Sequence, residues 1–242
     1  MPLGQLEGFV VGVTADRRWQ EQAELLRRRG ATVLHGPTIA TQYLADDEEL
    51  HQATNALIEH PPAYLVATTG IGMRAWLETA GAWGLGDRLA GALARARVVA
   101  RGPKAAGALQ GAGLEVWARS ATERMDDVLA HLLEAGVAGQ RVAFQQHGAD
   151  SPEFSAALIG AGAEVVEVPV YRWRLPRDPA PALALAEAIC EGRVDAVTFT
   201  SAPAVRNLFH LAAARDLADD VRAAFNEGVV AACVGPVCAE GA

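Results

Sequence analysis

The chain has 242 residues, enough for one large or two small globular units at the usual size of about 150 residues per domain. Apolar residues make up 51% and charged residues 21%, which supplies a core and excludes a disordered chain. A net charge of −8 argues against a nucleic-acid surface through this segment. Three cysteines (Cys190, Cys233, Cys238) leave one unpaired in any disulfide scheme, which points to a reducing, cytoplasmic setting. No apolar run approaches 18 residues, and the start MPLGQLEGF has no basic segment leading into an apolar one, so neither a membrane span nor a signal peptide is expected.

Strand-length apolar runs alternate with amphipathic stretches of helical length. In chain order, FVVGV (9–13) runs into Thr14-Ala15-Asp16, and WQEQAELLRRRG reads as a helix closed by Gly30. TVLHG (32–36) precedes PTIATQYL (37–44), which is β-branched or aromatic and has no helical period. Asp46 to Glu49 form an acidic first helical turn. YLVATT (64–69) opens into Thr68-Thr69-Gly70-Ile71-Gly72, and RVVAR (97–101) into Gly102-Pro103-Lys104. LEVWA (114–118) and RVAFQ (141–145) follow, the second leading to Gln146-His147-Gly148. Ser151-Pro152-Glu153 reads as an N-cap with proline at the first helical position. After EVVEV (164–168) comes PVYRWRLP (169–176), which carries Tyr171. AVTFT (196–200) opens into Thr200-Ser201-Ala202, and VVAACV (229–234) into Gly235-Pro236. This alternation defines an α/β fold with parallel sheets flanked by helices.

The chain also repeats itself. GATVLHGPTI (30–39) aligns with GAEVVEVPVY (162–171) at an offset of 132, and the same offset aligns PAYLVATTGIGMRAWL (62–77) with VDAVTFTSAPAVRNLF (194–209). At an offset of 133, ARGPKAAG (100–107) meets CVGPVCAE (233–240). Three blocks in order mark an internal duplication. The two non-helical segments sit at equivalent points of both repeats, and they are expected to pair as a two-stranded β connector between two lobes. The outer lobe then comprises 1–37 plus 174–242, the connector strands 38–44 and 169–173, and the middle lobe 45–168. The middle lobe counts five strands and the outer lobe four; the equivalent of LEVWARSATERMDDVLAHLLEAG (114–136) would fall at about 247–269, so the chain is expected to be part of a longer product.

The motifs VVGVT, AELLRRRGATV, LVATTGIGMRAWL, VVARGPKAAGAL, GAEVVEVPVYRW, TFTSAPAVRNL and VAACVGP, in this order and spacing, resemble uroporphyrinogen-III synthase over essentially the whole chain. The resemblance implies two α/β lobes joined by a β-ladder, a site between the lobes, and no metal or cofactor. It implies cyclisation of the linear tetrapyrrole hydroxymethylbilane, with loss of water and inversion of the last pyrrole ring. It also implies a catalytic role for Tyr171, whose counterpart in the first repeat is Ile39. Four turns depart from the family pattern: Thr14-Ala15-Asp16 stands for Thr-Arg-Pro, Gln146-His147-Gly148 for Arg-Gly, and Lys104 and Val237 follow the two Gly-Pro pairs where threonine is common. A second reading is therefore open, a non-catalytic tetrapyrrole- or anion-sensing module fused to a DNA-binding domain beyond residue 242.

In parallel sheets, ligands bind beyond the carboxyl ends of the strands, where helix N-termini present free N–H groups. The candidate substrate-binding residues are thus Thr14, Thr68, Thr69, Gly70, Gly72, Gly102, Lys104, His147, Thr200, Ser201, Ala202 and Gly235. Taken one turn at a time, an ordinary helix cap explains Ser, Thr and Gly equally well. Gly70-Ile71-Gly72 is no dinucleotide fingerprint, because Ala75 stands at the third glycine. Six histidines without an HxxH or HExxH pair make a zinc site unexpected. Cys233 is expected to face the core, and Cys238 to open a helix.

Overall fold

A computed structural model describes residues 4–148 and 151–241. β1 (Val10–Val13), α1 (Trp19–Arg27), β2 (Thr32–His35) and β3 (Ala40–Tyr43) come first, then α2 (Glu48–Glu59), β4 (Tyr64–Ala67), α3 (Gly70–Ala82) and α4 (Gly86–Leu93). β5 (Arg97–Ala100), α5 (Pro103–Gly111), β6 (Val116–Arg119), α6 (Met125–Ala135), β7 (Arg141–Gln145), α7 (Pro152–Gly160), β8 (Glu164–Val168) and β9 (Tyr171–Arg174) follow. α8 (Ala180–Cys190), β10 (Ala196–Phe199), α9 (Ala202–Ala213), α10 (Ala218–Glu227), β11 (Val230–Cys233) and α11 (Pro236–Ala239) end the described chain. None of the described helices is long and apolar enough to cross a membrane.

The chain divides into two compact units, Met1–Thr41 with Trp173–Ala242, and Gln42–Arg172. The first holds a parallel sheet of order β11-β10-β1-β2, the second a parallel sheet of order β6-β5-β4-β7-β8. β3 and β9 pair in a separate two-stranded sheet, and each carries the chain from one unit to the other.

The duplication is visible in strand register. Val10 pairs with Thr32 as Arg141 pairs with Glu164; Val11 pairs with Ala196 as Val142 with Tyr64; Ala196 pairs with Val230 as Tyr64 with Arg97. All three correspondences hold together when β1 maps to β7 at 131 residues, β2 to β8 and β4 to β10 at 132, and β5 to β11 at 133. Helices α4 and α10, which no sequence pattern above singled out, are a further equivalent pair. β6 has no counterpart among the described residues, and Val230 and Val234 at the open side of β11 are exposed.

Each sheet buries β-branched and aromatic residues against its helices. In the first unit Val197, Phe199, Val205, Leu208 and Ile189 form the core, joined by Ile39. In the second, Phe144 packs on Phe154 with ring centroids 4.7 Å apart, over Val128, Leu132 and Leu158. Trp76 is fully buried and its indole N–H donates to Thr54 Oγ1 at 2.9 Å. Gly30 takes φ +98°, the left-handed conformation that turns the chain from α1 into β2 at no Cβ cost.

Several boundaries differ from the sequence pattern. The runs 64–69 and 196–200 leave the sheet at Ala67 and Phe199, because the hydroxyl residues that follow turn to cap helices. The strand expected over 114–118 runs from Val116 to Arg119, beside a register shift between Val98 and Val99. Ser151 precedes Pro152 at the start of α7, but its side chain makes no cap bond. Cys233 packs against the core of the first unit as expected, half-buried, and Cys238 is buried in that core.

Candidate functional site

In the second unit the candidate residues gather where β4, β5 and β7 end. Thr68 and Thr69 follow β4, and Gln145, the last residue of β7, straps them down. Its side-chain oxygen accepts from the Thr68 N–H at 3.2 Å and the Thr69 N–H at 3.1 Å, while its amide nitrogen donates to the Gln146 carbonyl. The Thr68 hydroxyl donates to the Gln145 carbonyl at 2.8 Å. Thr68 and Gln145 are buried, so these bonds are shielded from water.

Thr69 is the N-cap of α3: its Oγ1 accepts from the Gly72 N–H at 3.2 Å and from the Tyr171 hydroxyl at 3.3 Å. Tyr171 opens β9; its ring is buried and tilted against Tyr43 at a centroid distance of 6.4 Å. The two glycines of this turn serve close packing. A Cβ on Gly70 would stand 2.1 Å from the Lys104 carbonyl oxygen, and one on Gly72 would stand 2.2 Å from Gln145 Nε2. The Gly72 N–H is thus spent on Thr69, whereas the N–H groups of Gly70 and Ile71 have no protein acceptor among the described residues.

Gly102 precedes α5, and with Pro103 at the first helical position the N–H groups of Lys104 and Ala105 have no protein acceptor among the described residues. The Lys104 side chain is exposed. His147 is half-buried; burial, and then the positive charge of Arg101, push its pKa down to about 4, so the imidazole is neutral at pH 7. Gln146, next to it, donates to Glu167 Oε2 at 2.8 Å, and the other oxygen of Glu167 accepts from the Ser155 hydroxyl.

The first unit repeats this plan with fewer polar side chains. Ser201 caps α9 as Thr69 caps α3, accepting from the N–H of Ala204 at 3.4 Å. Pro203 has no N–H, and that of Ala202, next to the exposed Thr200, has no protein acceptor among the described residues. Gly235 stands before the four-residue α11. Thr14 is fully buried and donates to the Thr198 carbonyl at 2.7 Å, so its hydroxyl ties β1 to β10 and is not presented at the surface. After Thr14 the loop is shaped by Arg18 at φ +54° and by Trp19 stacked 3.8 Å over His35, whose Nε2 lies 2.9 Å from the Ala15 carbonyl. Trp173 packs on the core of this unit.

Sequence reasoning missed Gln145, Arg101 and Glu123. In the sequence Gln145 is only the last residue of an apolar strand, and its function as a strap depends on β7 lying beside β4. Arg101 carried a usable signal: it is a charged residue ending an apolar strand, and its counterpart in the repeat is Val234. Glu123 sits in the loop between β6 and α6 at φ +59°, and its carboxylate oxygen lies 3.0 Å from where a Cβ on Gly102 would be.

Duplicated parallel-sheet units, linked through a two-stranded ladder, with capped helix ends at the strand termini, define an α/β protein of two similar units. The family described as "Uroporphyrinogen-III synthase HemD" matches residues 20–242. A crystal structure of a mutant uroporphyrinogen III synthase from the extremely thermophilic bacterium Thermus thermophilus is similar at a TM-score of 0.79 and 33% identity, covering 97% of this chain and 88% of that one. "Uncharacterized protein YjjA" of Bacillus subtilis is 29% identical over 97% of this chain and 86% of its own length. A "Putative uroporphyrinogen-III synthase" of Methanothermobacter thermautotrophicus is 37% identical over 90 residues, 37% of this chain and 36% of its own. The chain belongs to the uroporphyrinogen-III synthase family.

Proposed function

We propose that the protein cyclises hydroxymethylbilane to uroporphyrinogen III, inverting the last pyrrole ring and releasing water. The observation that carries this reading is the Tyr171 hydroxyl held 3.3 Å from Thr69 Oγ1 at the first turn of α3, beside the open N–H groups of Gly70 and Ile71. The hydroxymethyl oxygen must leave as water, so it needs a proton; Tyr171 supplies it directly or through one water, as a general acid. The substrate is an octa-acid, and carboxylates are assigned to the N–H groups at Gly70, Ile71 and Lys104 together with the Lys104 ammonium; the equivalent turn of the first unit offers the Ala202 N–H and the Thr200 hydroxyl for the same task. Helix N-termini suit this task because the ends of aligned peptide dipoles favour anions. Thr68, Gly72, Gly102, Ser201 and Gly235 contribute by shaping those turns, and neutral His147 adds a polar wall without a charge. Inversion requires the linear chain to be held folded, since unassisted closure gives the uninverted isomer; positioning is therefore the larger contribution.

Supplying hydroxymethylbilane, oxidising the products and separating the isomers by chromatography tests the proposal. A product dominated by the type III isomer, formed faster than the spontaneous background, is expected. Only the type I isomer at the background rate would refute it. Binding of a porphyrin without turnover would then favour the sensing module.

A further inference from the structure

Arg101 is the residue whose surroundings the chemistry above leaves unexplained. It follows β5 directly, and its N–H donates to the Ala67 carbonyl at 2.9 Å, which pins it beside the Thr68-Thr69 turn. Its side chain is half-buried. Burial lowers its pKa from the ordinary value, opposed by the nearby Tyr171 and Glu123, and the guanidinium stays charged at neutral pH. Yet among the described residues no hydrogen bond or ion pair takes up its five N–H donors. The guanidinium nitrogens are not sealed from solvent, so a half-buried cation with open donors beside this turn is a ready seat for an anion that arrives from outside the chain.

The neighbourhood fits that guest. Arg74 Nη1 lies 3.3 Å from the Cβ position of Gly70, and the backbone of Lys104 packs against the same glycine, so two further cationic residues flank this turn in a chain of net charge −8. His147 is neutral at pH 7 and adds no positive charge to this neighbourhood. Glu123 is the opposing group: its backbone is held at φ +59°, a conformation glutamate adopts rarely, and its carboxylate rests against Gly102, within electrostatic range of Arg101 but not bonded to it.

We infer that Arg101 is a substrate-binding residue that grips one carboxylate of a polycarboxylate ligand, two-pronged, beside the Tyr171 hydroxyl, and that Glu123 is the internal anion that competes with this carboxylate through its field at Arg101. The planar fork of the guanidinium matches a carboxylate, and a bond of this type adds orientation as well as affinity. The inference deepens the reading proposed above and rests on it for the identity of the ligand: it names which residue orients the acidic side chain nearest the general acid.

The test uses the whole chain and uroporphyrin III, a stable octacarboxylate, as the probe. Its dissociation constant is measured by fluorescence titration for the parent, Arg101→Gln, Arg101→Lys and Glu123→Gln. KM, kcat and isomer ratio with hydroxymethylbilane are measured alongside. Arg101→Gln is expected to weaken uroporphyrin binding by roughly ten- to a hundredfold, the range of a charge-assisted hydrogen bond. Its KM should rise more than its kcat falls, and the product should shift toward the uninverted isomer. Arg101→Lys keeps the charge but loses the fork and is expected to fall between. Glu123→Gln removes the competitor and should tighten binding by about two- to fivefold, the size of a partly screened charge pair.

If the parent forms type III product while Arg101→Gln leaves dissociation constant, KM and isomer ratio unchanged, this inference is overturned and the proposed reaction stands. If the parent forms no type III product but Arg101→Gln still weakens uroporphyrin binding, the reaction falls and the carboxylate grip stands. Should Arg101→Gln fail to fold, Arg101→Lys and Glu123→Gln decide: opposite shifts support the inference, and no shift in either refutes it.

Discussion

Replacing Gln145 by methionine isolates the strap that holds the α3 cap in place. The two side chains are similar in length and volume, so the change removes hydrogen bonds with little change in packing. Three polar groups lose their partner: the N–H groups of Thr68 and Thr69, and the Gln146 carbonyl. Gln145 is fully buried, and its amide nitrogen lies so close to Gly72 that a Cβ there would stand 2.2 Å away, which leaves no room for water to replace the lost bonds. Each buried group left unsatisfied costs about 1–3 kcal/mol, and the more apolar methionine recovers part of the total, giving a net loss of about 2–4 kcal/mol. For a chain of this length that corresponds to a fall in Tm of roughly 5–15 °C. Urea unfolding measures the global loss, and amide hydrogen exchange at Thr68 and Thr69 shows whether it originates at the turn. A loss below about 0.5 kcal/mol, with both amides still as protected as in the parent, would refute the strap.

Tyr171→Phe keeps the buried ring and removes the hydrogen bond to Thr69, a loss of about 1 kcal/mol for that bond, while turnover falls roughly ten- to a thousandfold. An unchanged steady-state rate would return Tyr171 to a packing role. His147 has a folded pKa of about 4 against an ordinary 6.5, so the unfolded chain binds more protons between these values; its contribution is complete above pH 6.5 and is lost as pH falls toward 4. That loss amounts to about 3 kcal/mol at most, and urea unfolding at pH 7 and pH 4.5 should show a smaller difference for His147→Gln than for the parent. Burial, and then the adjacent Cys233, raise the Cys238 thiol to about 11, so mapped iodoacetamide labelling at pH 8 should leave it unmodified until urea unfolds the chain. Labelling at the rate of a free thiol in the folded chain would show that this helix end opens.

The layer architecture was legible in the sequence because it depends on local pattern and on repetition. The apolar runs 141–145 and 164–168 are the strands β7 and β8 to the residue, and the paired non-helical segments contain β3 and β9. The duplication added tertiary information, since equivalent segments of two repeats must occupy equivalent places. It matched Thr69 with Ser201, and both cap their helix through the N–H three residues on.

What remained undecided was everything that depends on which strands are neighbours. Thr14 and Thr68 both follow strands and look alike as candidate donors, yet both hydroxyls are consumed by the adjacent strand, at the Thr198 and Gln145 carbonyls. Whether Gly70 and Gly72 serve a ligand or a helix contact was settled by α5 and Gln145 lying against them. Gln145 and Arg101 end their strands in the same way in sequence. Only the fold buries one with its bonds complete and leaves the other with its donors open. Hydrophobic period and capping residues act over three or four positions, so a single chain records them directly. The partner of a side chain 77 positions away, as Gln145 is from Thr68, exists only after the sheet has formed. The chemistry of this site belongs to that second kind of contact.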